Sequence, residues 1–166
     1  MNDVPLGVLF GALAVLIVCS GFFSSSETGL MSLNRYRLRH LSREGHKGAL
    51  RASRLLERPD RLIGLILLGN NFVNILASSL ATIIAIRLLG EAGIAVAAIL
   101  LTMVILIFAE VAPKTLAALH PERIAFPASL VLGPLLWALY PLVWVVNVLA
   151  NALLKPLGVS STDPSE

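Results

Sequence analysis

The stretch LIGLILLGNNFVNILASSLATIIAIRLL, residues 62–89, decides the fold. It contains one charged side chain, Arg87. A helix needs about 20 apolar residues to cross a hydrocarbon core about 30 Å thick, so this segment reads as a membrane span. Its middle carries Gly69-Asn70-Asn71-Phe72-Val73-Asn74. Three amides in five residues are costly against lipid, and polar groups inside a membrane face a bundle interior or a cavity.

The flanks fit the same reading. Residues 4–23 form a first apolar run and residues 92–109 a third, with Gly90, Glu91 and Gly93 as a tight turn between the second and third. The first run is about 19 residues, longer than the 7–15 of a signal-peptide core, and no basic segment precedes it, so it is expected to stay as a span. The composition is 57% hydrophobic and 14% charged, with mean hydropathy +0.84. Soluble domains have roughly 45–50% apolar and about 25% charged residues. So few charges cannot coat a water-facing surface, and lipid is the solvent this composition suits. The 166 residues suit one domain, taken as residues 1–157. Residues 158–166 read as a linker or a truncated end.

Net charge is +3, but nine of the 13 Lys and Arg residues lie between Arg35 and Arg61. Cationic loops stay in the cytoplasm, so this segment is expected inside, with an external N-terminus and a cytoplasmic third-span exit. Leu38, Leu41, Leu50, Leu55 and Leu56 recur among its charges. They suggest one or two amphipathic helices along the headgroups, broken near Gly45 and Gly48. The bracketing spans favour a membrane surface over nucleic acid as the partner of these cations. Residues 124–157 leave two readings open. Pro127, Pro134 and Pro141 recur every seven residues, and Trp137, Tyr140 and Trp144 suit a membrane interface. The segment is either a fourth span or a kinked belt on the cytoplasmic side. The single cysteine, Cys19, lies in an apolar run and reads as a packing residue.

Three clusters carry polar pairs at i, i+4, a spacing that puts both side chains on one helix face. They are Ser20 with Ser24, Asn70 with Asn74, and Glu110 with Lys114. At about 1.5 Å per residue, Ser20 lies about 22 Å from the outer edge, Asn70 about 13 Å from the inner edge and Glu110 about 27 Å from the outer edge. All three fall between the midplane and the cytoplasmic surface. Hydroxyls, amide oxygens and a carboxylate are hard donors suited to Mg²⁺, Ca²⁺, Mn²⁺ or Na⁺, and no His or Cys set for zinc or copper accompanies them. Ser20, Ser24, Asn70 and Glu110 supply four oxygens; Gly69 is a sensible place for an opened backbone carbonyl. A single well-placed carboxylate, with Glu27 second, favours release and hence transport. The bland alternatives are that the serines pack, as the GxxxG of Gly7 and Gly11 can, that the asparagines glue helices, and that Glu110 only pairs with Lys114. No nucleophile–base pair or phosphate-cradling loop points to an enzyme.

The runs Ser24-Ser25-Ser26-Glu27-Thr28-Gly29-Leu30, Asn34-Arg35, Gly69-Asn70-Asn71-Phe72-Val73-Asn74 and Ala109-Glu110-Val111-Ala112-Pro113-Lys114, in that order, resemble the transmembrane domain of the CorC/CNNM magnesium transporters. The resemblance covers about residues 5–155. It implies an all-α polytopic fold of three spans, juxtamembrane helices and a cytoplasmic-side belt for residues 124–157. It also implies a homodimer in a bacterial inner membrane that exports Mg²⁺, with Na⁺ as the coupled ion. Full-length members continue into cytoplasmic CBS domains that bind ATP. The matched ion residues are Ser20, Ser24, Asn70 and Glu110, with Gly69 beside them. Ser25, Ser26, Glu27, Asn71, Asn74 and Lys114 are expected to surround them or to serve the coupling ion. A cation channel and a non-transporting membrane anchor or dimerisation module remain the rival readings.

Overall fold

A computed structural model describes residues 3–158. Among them every regular element is helical. The expectation for residues 158–166 falls almost wholly outside the described residues.

Helix α1 spans Leu6–Ser32, about 40 Å at 1.5 Å per residue. The apolar run ends near Phe23, but the helix continues for another nine residues because nothing breaks it: Ser24 and Ser26 are buried, and so are Gly29 and Leu30. Asn34 then caps α2 (Arg35–Arg43), its side chain accepting from the backbone N–H groups of Tyr36 and Arg37. Gly45, with φ +84°, makes the break the sequence led us to expect, while Gly48 lies inside α3 (Lys47–Leu56). Leu38, Leu55 and Leu56 are buried, and Arg35, Arg39, Arg43, Lys47 and Arg54 stay exposed.

Helix α4 (Pro59–Leu89) carries the second span. It ends at Gly90, whose φ of +71° is a conformation glycine adopts without strain, followed by a 3₁₀ turn over Gly90–Ala92. The reversal brings the chain so close that a Cβ on Gly93 would lie 2.6 Å from the Ala85 carbonyl oxygen. Helix α5 (Gly93–Ile105) returns, widens into a π-helical turn over Leu106–Val111, and continues as α6 (Ala112–Leu119). The third span was expected to end at residue 109, before Pro113. The chain instead stays helical through that proline. The N–H of Ala112 bonds Ile107, five residues back, and Pro113, having no N–H, falls in the first turn of α6 where none is needed.

Three helical stretches are long and apolar enough to cross a bilayer: Leu6–Ser32, Pro59–Leu119, which folds back at Gly90, and Pro121–Leu157. The last holds α7 (Pro121–Leu154), one helix despite Pro127, Pro134 and Pro141. Its contacts decide between the two readings. Ile124 packs on Gly29 near the end of α1, Phe126 on Gly48 of α3, and the Arg51 side chain reaches Ser129 at 3.4 Å. Further along, the Arg61 guanidinium sits 4.9 Å from the Tyr140 ring centroid, Val143 and Asn147 pack on Gly64, and Asn147 donates to the Asp60 carbonyl at 3.4 Å. About 39 Å of helix separates Pro121 from Asn147, yet Asn147 still lies at the first turn of α4. A spanning helix would have reached the opposite end. α7 is therefore a belt across the end that bears the basic helices, with Trp137 and Trp144 exposed for the membrane interface.

The protein core sits at that end, where Leu30, Leu62, Leu65, Ile66 and Leu132 are almost fully buried in one cluster. Elsewhere the spans expose large apolar side chains, such as Val18, Ile75 and Ile99, as lipid-facing helices do. Cys19 is half-buried.

Candidate functional site

Two glycines let α1 approach its neighbours. A Cβ on Gly69 would lie 2.5 Å from the Phe23 ring. One on Gly21 would lie 3.3 Å from Pro113 Cγ and 3.4 Å from the Phe108 carbonyl oxygen. This approach buries Ser20 and Ser24 to 1% exposure between the spans.

Ser20 Oγ lies 3.0 Å from Asn70 Oδ1 and 2.6 Å from Asn74 Oδ1. A hydroxyl has one proton, so it can donate to only one of the two amide oxygens at a time. One turn along α1, Ser24 donates to Glu110 Oε1 at 3.3 Å. The other carboxylate oxygen, Oε2, pairs with Lys114 Nζ at 3.1 Å. Asn74 and Glu110 both line a cavity of about 370 Å³ between α4 and α5. One member of each group therefore opens onto the same space.

The donor set suits a hard cation. Around Ser20 three side-chain oxygens converge on the one hydroxyl proton, an excess of lone pairs that a cation satisfies. In an octahedron with ligands at 2.0–2.1 Å, neighbouring oxygens are about 2.9 Å apart, close to the Ser20–Asn70 and Ser20–Asn74 separations. Among the described residues no group of three or more His, Cys, Asp or Glu could hold a metal, so nothing here favours zinc or copper.

The expected opening of the backbone at Gly69 is not found: α4 is uninterrupted there, and Gly69 instead makes room for Phe23. A backbone donor is instead missing beside the π turn. Pro113 has no N–H to give to Ala109 or Phe108, four and five residues back, and the Phe108 oxygen faces Gly21, between Ser20 and Ser24.

The family model for the cyclin M (CNNM) transmembrane N-terminal domain matches residues 11–166. This chain belongs to that family. It is 54% identical over 142 residues to the UPF0053 inner membrane protein YfjD of Escherichia coli, covering 86% of this chain and 33% of that relative. It is 51% identical over 159 residues to a UPF0053 protein of Haemophilus influenzae, covering 96% and 38%. A more distant relative, the polyamine export protein of Haemophilus influenzae, is 28% identical over 163 residues, covering 90% of this chain and 38% of that relative. The chain thus spans about a third of the length of these curated relatives. The CNNM domain described here is a multi-pass membrane protein with bacterial inner-membrane relatives.

Within this CNNM domain the remaining expected residues divide. Asn74, placed around the ligands by sequence, touches Ser20 as closely as Asn70 does. Ser25 and Ser26 bond back to the Phe22 carbonyl, at 3.1 and 2.6 Å, a local arrangement that occupies their protons. Glu27 is half-buried and bonds none of the converging side chains. Asn71 is exposed and lines a separate cavity, between α4 and α7, with Asn147 and Asn151. Neighbouring helix residues are about 100° apart, and Asn71 lines the cavity toward α7 rather than the one that holds Asn74 and Glu110. Sequence reasoning missed Ser78 and Thr102, which line the cavity beside Asn74 and Glu110. The signal for Ser78 was present: Asn70, Asn74, Ser78 and Thr82 form one stripe at four-residue spacing.

Proposed function

We propose that this CNNM domain carries Mg²⁺ across the bilayer as an alternating-access exporter coupled to Na⁺. The observation that carries the reading is the Ser20 hydroxyl, whose single proton faces two amide oxygens one turn from the Ser24–Glu110 pair. Ser20, Ser24, Asn70, Asn74 and Glu110 supply five side-chain ligands, and the Phe108 carbonyl, which faces Gly21 of α1, is our candidate for a sixth. One carboxylate leaves a bound divalent ion with net positive charge, so release stays accessible. Na⁺ uses the same oxygens in turn. The basic helices α2 and α3 face the cytoplasm, with the N-terminus outside. The working unit is a homodimer, and full-length chains add cytoplasmic ATP-binding CBS domains. The greater length of the relatives leaves room for such domains.

Mg²⁺ titration calorimetry on the wild type and on Asn70→Ala and Glu110→Ala tests this. Unchanged binding in both variants would remove the site. Mg²⁺ at tenfold over Kd should also stabilise the fold by about 1.4 kcal/mol. No rise in melting temperature at millimolar Mg²⁺ would favour a membrane anchor. Flux in proteoliposomes with and without a Na⁺ gradient separates a coupled carrier from a channel.

A second reading has one observation in its favour. The Lys114 ammonium rests on Glu110, so the site accommodates a primary ammonium on an alkyl chain. That is the chemistry of a polyamine end group, and one relative is named a polyamine export protein. Spermidine competing with Mg²⁺ for wild type would support it; no competition would leave Mg²⁺ as the cargo.

A further inference from the structure

Two cavities meet at Leu101. The first is the 370 Å³ cavity between α4 and α5, with Asn74, Ser78, Thr102 and Glu110 on its wall. The second, about 250 Å³, lies closer to the Gly90 turn and is lined by apolar residues of three helices, among them Phe10 and Ile17 of α1, Ile84 of α4 and Val104 of α5. Leu101 lines both. Polarity thus changes abruptly across one side chain.

The polar cavity continues the ion site away from the basic end. Along α4 the polar stripe climbs about 6 Å per step from Asn74 to Ser78 to Thr82. The hydroxyls of Ser79, Thr82 and Thr102 bond back to the carbonyls of Ile75, Ser78 and Ala98. That of Ser78 has no partner among the described residues. An unpaired hydroxyl against lipid is costly; beside Asn74 and Glu110 it is placed to receive a hydrated ion. Beyond Leu101 the apolar lining offers an ion nothing in exchange for its water, and such constrictions close by shedding water.

We propose that Leu101 is the outer gate of the cation path, closing the outer end of a transit pocket in which the Ser78 and Thr102 hydroxyls receive the ion from Asn74 and Glu110. The inference rests on the reading of the domain as a cation transporter. In the closed state the Leu101 side chain stands between the pocket and the outer cavity, lining both. Opening requires α5 to shift against α4 and α1 by enough to withdraw it.

The test uses the full-length protein in vesicles of phosphatidylethanolamine and phosphatidylglycerol, with a trapped Mg²⁺ indicator and no Na⁺ gradient. Leu101→Ser should leak Mg²⁺ down its gradient at least tenfold faster than wild type. Leu101→Met, which keeps the apolar volume, should stay as tight as wild type. The leak should vanish in Leu101→Ser combined with Glu110→Gln, because it passes through the ion site. If Leu101→Ser unfolds, as a loss of its melting transition would show, Leu101→Thr takes its place with the same expectations. A folded polar variant as tight as wild type overturns the gate. So does a leak that survives the Glu110→Gln change. Failure of the transporter reading looks different: the wild type would bind no Mg²⁺ in calorimetry, whatever the Leu101 variants do.

Discussion

Replacing Lys114 with methionine should tighten Mg²⁺ binding. Lys114 Nζ lies 3.1 Å from Glu110 Oε2, and a divalent ion cannot use that oxygen without moving the ammonium aside. On the proposed reading the side chain acts as a tethered competitor, and its removal should raise affinity by the free energy of the pair. Two limits bracket that energy. Two unit charges 3.1 Å apart attract by about 5 kcal/mol at an effective dielectric of about 20, which would shift Kd several-thousand-fold. But the Lys114 side chain is 46% exposed and that of Glu110 26%. Water or headgroups reaching the ammonium screen the pair to about 0.5–1 kcal/mol. The expected gain is therefore about two- to fivefold in Kd. Isothermal titration with MgCl₂ on wild type and Lys114→Met in the same detergent reads it directly, with the melting temperature as a check on folding. A folded variant that binds Mg²⁺ equally or more weakly would refute the competitor role. A gain beyond a hundredfold would instead mean that the pair is sealed from water.

Asn70→Ala should weaken Mg²⁺ binding by about tenfold or more, the loss of one polar contact to a charged group being about 1.5–3 kcal/mol. Asn71→Ala, on the face toward α7, should stay within about twofold; equal effects in calorimetry would break the one-face argument. Gly69→Ala should destabilise the fold by about 1–3 kcal/mol through overpacking against Phe23, seen as a lower melting temperature in detergent. Pro113→Ala restores an N–H to the carbonyls of Ala109 and Phe108. The π turn should relax, swinging Glu110 by up to about 100° and weakening Mg²⁺ binding without loss of thermal stability. Unchanged affinity would show that the turn is not needed for the site.

The local pattern made much of this protein legible. Long apolar runs allowed only buried or lipid-facing helices, and Gly90 marked the reversal. The i, i+4 pairs announced polar faces, because on a helix that spacing alone fixes a shared side. Glu110 and Asn70 could be singled out because the membrane makes a polar side chain expensive wherever it lacks a partner. The contact of Asn74 with Ser20, as close as that of Asn70, was not legible, because adjacency in sequence says which face a residue is on, not how near another helix comes.

Distances of that kind are tertiary. Gly21 and Gly69 determine how closely α1 settles, and their roles depend on Phe23 and Pro113, far away in the chain. The course of α7 was undecidable from its prolines and aromatics, since a span and an interfacial belt share that composition; its contacts with Gly29, Gly48 and Gly64 decided it. The same holds for the freed backbone oxygen. Sequence pointed to Gly69, because glycine is where helices open most easily. The opening came at the π turn instead, because Pro113 withholds a donor and α1 packs against the carbonyls left behind. Composition and periodicity determined what must be buried and on which face; only the packing of one helix on another brought Asn74 to Ser20 and Glu110 to Ser24, since those pairs lie 54 and 86 positions apart in the chain.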